Sequence, residues 1–124
     1  MDRYDPLVPP VPEEWLAMDE GERIALVAGF HRRARIRLPN AQAHAVFHVI
    51  VENQVAIGEG IPVGATLDRL MANGLDRHDA IHAIASVLAA HVTDVVRGGD
   101  EQADPNGPYY AALARLMAES WRNA

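Results

Sequence analysis

Residues 41–57 read Ala41-Gln42-Ala43-His44-Ala45-Val46-Phe47-His48-Val49-Ile50-Val51-Glu52-Asn53-Gln54-Val55-Ala56-Ile57, and the reading of this stretch decides the fold. It is apolar almost throughout, and its β-branched content makes a strand the competing assignment. Its polar groups decide for a helix: His44, His48 and Glu52 stand four apart, and alanines flank the run. A helix that is apolar on nearly every side belongs at the centre of a bundle.

Working outward, Pro39-Asn40 punctuates the chain and Asn40 can cap the central helix. Upstream, Asp19 followed three residues later by Glu22 starts a helix over about 20–36, with Ile24, Val27, Ala28 and His31 along its apolar stripe. Pro12-Glu13-Glu14 looks like an earlier helix start. Residues 1–12 carry Pro6, Pro9, Pro10 and Pro12 and form an extended arm. Tyr4, Leu7, Val8 and Val11 give that arm apolar groups to pack on its own domain, a reading preferred to a proline-rich ligand for another protein.

Downstream, Gly58, Gly60 and Pro62 break the chain, and a short helix over about 63–73 stops at Asn73-Gly74. Asp76 then caps a long helix over about 77–97, closed by Gly98-Gly99. Residues 98–107 form a flexible polar loop, and Pro108 opens a last helix to about 122. The expectation is an all-α, compact bundle of about five helices, one domain over residues 1–124.

Composition narrows the chemistry. There is no Cys, so disulfides, thiolate metal sites and cysteine nucleophiles are excluded. All eleven basic residues are Arg, which removes Schiff-base chemistry and the phosphate-loop lysine. Serine occurs only at Ser86 and Ser120, in no nucleophile elbow. A net charge of −6 opposes broad nucleic-acid binding. No uninterrupted apolar run reaches the ~18 residues of a membrane span, and the first residues lack a signal-peptide layout, so a cytoplasmic location is the default expectation.

What remains is His, Asp, Glu, Arg and Tyr. His44 and His48 share one helix face, and His78 and His82 repeat the spacing at the start of the long helix. Such a pair lets two imidazoles converge on one ion from a rigid element. If helices 41–57, 63–73 and 77–97 run up, down and up, the pairs lie at similar height on parallel helices and can face one another. Glu52, buried by its neighbours, needs a partner and is the fifth candidate ligand. Yet His44 and Glu52 lie ~12 Å apart along an ideal helix at ~1.5 Å per residue, so His44, His48 and Glu52 do not share one ion. Glu52 as a ligand beside His48, as a general base, as an orienting group, or as part of a second site all stay open. His31, on the buried-looking stripe of its helix, reads as a satisfied core histidine ahead of an extra ligand or a donor that orients one, and His91, nine residues beyond His82, points away.

The metal set is therefore His44, His48, Glu52, His78 and His82. All-N/O ligation suits Zn first, with Fe, Mn or Ni as alternatives, and an open zinc site with Glu52 accepting a proton would serve a metal-dependent hydrolase. A second reading is a non-catalytic interaction module in which the histidines form a metal-free network with Glu52, Asn53 and Gln54. A third is a helix-turn-helix over 63–85 aided by the basic run at Arg32, Arg33, Arg35 and Arg37. Two acids, Asp76 and Asp79, stand at its base-reading end and disfavour it. The partner expected is a small molecule or a protein, with neither nucleic acid nor membrane, and with homo-oligomers left open.

The segment His44-x3-His48-x3-Glu52-Asn53-Gln54, joined to Gly74-Leu75-Asp76-Arg77-His78-Asp79-Ala80-Ile81-His82-Ala83-Ile84, resembles a family of small bacterial helical proteins of the domain-of-unknown-function type. The likeness spans about residues 40–117 and includes a tyrosine in the last helix, Tyr109 or Tyr110. It implies the helical fold and the paired-histidine pattern, and brings no activity with it.

Overall fold

The computed structural model describes residues 3–36, 40–98 and 106–122, with the Arg122 side chain left aside. Met1, Asp2, Arg37 and Pro39 lie outside the described residues, as do residues 99–105 of the expected loop. The fold is all-α, and no strand occurs among the described residues. Among the described residues seven helices follow one another: α1 (Pro12–Ala17), α2 (Glu20–Arg33), α3 (Ala41–Ile57), α4 (Val63–Ala72), α5 (Arg77–Val96), α6 (Gly107–Arg115) and α7 (Ala118–Arg122).

Local chemistry sets these boundaries. Asp19, Asn40 and Asp76 each accept a backbone N–H with the side chain at the start of α2, α3 and α5, satisfying donors that a helix leaves open. Gly58 ends α3 at φ 75°, and Gly74 turns the chain after α4 at φ 106°, both in the region that only glycine enters cheaply. The expected last helix is two: Leu116 is extended (ψ 129°), which ends α6 and lets α7 start at Ala118. That break, with α1 standing apart from α2, explains why there are seven helices rather than about five.

α3 is the central helix, packing against α1, α2, α4 and α5. Val49 and Val51 are both fully buried but two residues apart, so they project to nearly opposite sides. Val51 joins a core with Leu70, Ile81, Ile84, Tyr109 and Leu113. Val49 joins a second core with Tyr4, Trp15 and Val27, in which the Tyr4 and Trp15 rings lie 5.6 Å apart. The arm is thus held on its own domain through Tyr4, while Leu7, Val8 and Val11 stay exposed. By length and composition α5 is the one helix among the described residues that could cross a membrane; its apolar residues Ile81, Ile84 and Leu88 lie in the core instead.

The sense of the α3–α5 pairing differs from the expected one. His44 meets His82, His48 packs against both His78 and His82, and Glu52 meets Arg77. Contacts climb α3 as they descend α5, so the facing segments run in opposite directions. The two pairs still face one another, because the contacting segments are residues 44–52 of α3 and 77–82 of α5.

Candidate metal centre

Four imidazoles converge where α2, α3 and α5 meet. One ligand atom from each of His31, His48, His78 and His82 lies within 4.8 Å of the other three. His31 Nε2 is 3.3 Å from His78 Nε2 and 3.3 Å from His82 Nε2. Nitrogens at ~2.0–2.1 Å from a tetrahedral zinc ion stand about 3.3–3.4 Å apart, so these separations suit one shared ion.

The set differs from the sequence expectation at one histidine. His31 is a member, placed there by the last turn of α2, where Ile36 N–H closes the helix on the His31 carbonyl. His44 stands at the edge, half-buried, with Nε2 2.9 Å from His82 Nε2 but outside the mutually close four. His91 stacks on Tyr109 away from the cluster.

Hydrogen bonds around the ring decide which nitrogens have a lone pair to offer. His31 Nδ1–H donates to the Val27 carbonyl at 2.8 Å, which leaves Nε2 unprotonated toward its neighbours. For His48 the chain is longer. Glu52 is paired with Arg77 through two contacts of 2.7 Å, so its carboxylate is ionised and accepts the Tyr4 hydroxyl proton. Burial, with the Glu52 charge beside it, pushes the Tyr4 phenol far up, so it keeps that single proton. The Tyr4 oxygen, 2.7 Å from His48 Nε2, must then accept an N–H from the ring. The His48 lone pair therefore sits on Nδ1, a buried atom with no hydrogen-bond partner. An orphaned buried acceptor is costly, and a cation satisfies it.

Glu52 is occupied otherwise than as a ligand or base. It is 1% exposed and Arg77 3%, with both carboxylate oxygens engaged by Arg77 and one by Tyr4 as well. Burial alone would lower Arg77, but the hydrogen bonds and charge of Glu52 hold it above its ordinary value. Arg77 also donates to the Pro6 carbonyl at 2.9 Å, tying the arm to α5. Asn53 and Gln54 turn elsewhere: Asn53 accepts from Trp15 and Arg23, and Gln54 from Tyr109. Tyr4 and Arg77 escaped the sequence reading. The one available signal was the need of a buried Glu52 for a cation and a donor.

Burial and mutual repulsion favour the neutral form of His44, His48, His78 and His82. His44 is lowered from 6.5 to about 4, first by burial and then by His31 and His78. His82 is lowered to about 2 by burial and by His78, His44 and His31, and His48 and His78 are lowered for the same leading reason. Folding thus holds the imidazoles in the form that binds metal. Because these values are depressed, the unfolded chain takes up protons first. Their contribution is complete above pH 6.5 and is lost as pH falls toward the folded values. The metal-free chain should therefore melt at lower temperature at pH 5 than at pH 7, and a flat profile across that window would contradict the buried neutral cluster.

Comparison of the chain with family models, with curated proteins and with solved structures gives no match.

Proposed function

We propose that this protein is a metal-binding helical domain holding one divalent ion, zinc in first place, on His31, His48, His78 and His82. The observation that carries the reading is the convergence of four imidazole ligand atoms within 4.8 Å, backed by the unpartnered, buried His48 Nδ1. Imidazole nitrogen is a ligand for zinc, iron or nickel, and the two 3.3 Å separations from His31 match those around a tetrahedral zinc ion. The chain's own residues orient the ligands: Val27 fixes the His31 tautomer, and Glu52 through Tyr4 fixes that of His48. A hydrolytic role is not part of the proposal, since Glu52 is not free to take a proton from water.

The test is metal content. Chelator-stripped, untagged protein titrated with zinc should bind one ion per chain, and His48→Ala or His82→Ala should abolish that uptake. Both variants retaining the ion would defeat the assignment.

The Tyr4 link is checked separately. Removing an outer partner of a ligand typically weakens metal affinity by about 10–100-fold, and Tyr4→Phe should do so here. An equal or higher affinity in Tyr4→Phe would mean that His48 binds through Nε2 instead, with Tyr4 as a competitor.

A further inference from the structure

A cleft of about 430 Å³ opens beside the centre, lined by His44, His82, Phe47 and Trp121, with Ala85 and Ala89 on its wall. That volume suits a small molecule. The cleft reaches the cluster directly at His82.

We propose that this cleft delivers a small monoanion, a carboxylate on a short apolar frame, as a fifth ligand that expands the coordination of the ion held by the four histidines; the inference rests on the metal reading above. Charge is the first argument. Four neutral imidazoles leave the ion's two positive charges uncompensated, in surroundings where such charge is expensive. The buried carboxylate nearest to hand, Glu52, is already paired with Arg77. Asp5, Asp76 and Asp79 act on His78 from exposed positions, and none lines the cleft.

His44 is the second argument. An imidazole nitrogen has one place, for a proton or for a metal. An ion on His82 Nε2 therefore dissolves the 2.9 Å His44–His82 hydrogen bond, whichever tautomer made it. His44 Nε2 is then at the cleft wall without its former partner, beside the ion, and in the Nε2–H tautomer it donates to a carboxylate oxygen. The third argument is the lining: apart from the two histidines and Ser86, whose hydroxyl donates to the Ala83 carbonyl, it is aromatic and alanine side chains that accept an apolar body, and with no Arg it gives a second negative charge no cationic partner.

Cobalt(II) in place of zinc makes the centre visible through its d–d bands. Titrated with benzoate, acetate and phosphate, the cobalt-loaded chain should show a saturable band shift with benzoate, at least tenfold weaker binding of acetate, and no shift with phosphate. Ser86 is exposed and lines the same cleft, so Ser86→Phe should keep cobalt and weaken benzoate by tenfold or more. Ala89→Leu, a smaller obstruction, should do likewise, and His44→Ala should keep cobalt and weaken benzoate. Cobalt bands that no carboxylate moves would overturn the inference while leaving the metal reading standing. So would benzoate binding that ignores Ser86→Phe, Ala89→Leu and His44→Ala alike. A chain that takes up no cobalt overturns both.

Discussion

Arg77→Ala should destabilise the metal-free fold by about 3–5 kcal/mol, read as a lower urea midpoint at unchanged slope in the presence of chelator. The magnitude comes from what the variant leaves behind. Glu52 is 1% exposed and would be left with only the Tyr4 hydroxyl as a partner. The Pro6 carbonyl would lose its donor as well, loosening the arm. The cost is that of a stranded buried carboxylate, which is distinct from the net worth of the pair, because desolvating two ions offsets much of their attraction. A chain carrying both Glu52→Gln and Arg77→Met removes the two charges and keeps an amide oxygen for Tyr4. It should recover at least half of the loss. A single Arg77→Ala chain within 1 kcal/mol of the parent would show that the pair does not anchor this core.

Where the sequence spoke through local chemistry, the structure agrees closely. Asn40 and Asp76 cap where expected, α3 spans 41–57, and glycines at 58 and 74 stop their helices. These features depend on a few consecutive residues, so a sequence displays them. The break at Leu116 is less legible, because no glycine or proline marks it.

The site was legible as a pattern and less so as a list. The i, i+4 histidines could be paired across a seam without knowing its direction, so their convergence survives a reversal of the assumed parallel helices. His31 depends on how α2 packs on α3 and brings its ring to the histidines of α5, a relation that no motif in α2 encodes. Its place on the apolar stripe was visible; the neighbours of that stripe were not. Arg77 illustrates the same limit from the other side. At the first position after a cap it looks like a solvated helix residue, and only packing against Glu52 and Pro6 buries it.

Zinc at about a thousandfold its dissociation constant should add about 4 kcal/mol to the stability of the stripped chain. For 124 residues that is a rise in melting midpoint on the order of 10–20 °C. The increment is this large because the ion binds only the folded state. His31 and His82 are 51 positions apart, and an unfolded chain cannot hold them 3.3 Å from each other without losing the loop entropy that folding has already removed. The same measurement separates the two histidines that compete for membership. His31→Ala removes a nitrogen whose lone pair is aimed by the Val27 carbonyl, and should erase most of the zinc-induced shift. His44→Ala removes a ring that the ion displaces from His82, and should leave most of the shift in place. The opposite ranking would return His44 to the ligand set, and with it the purely paired arrangement of His44, His48, His78 and His82.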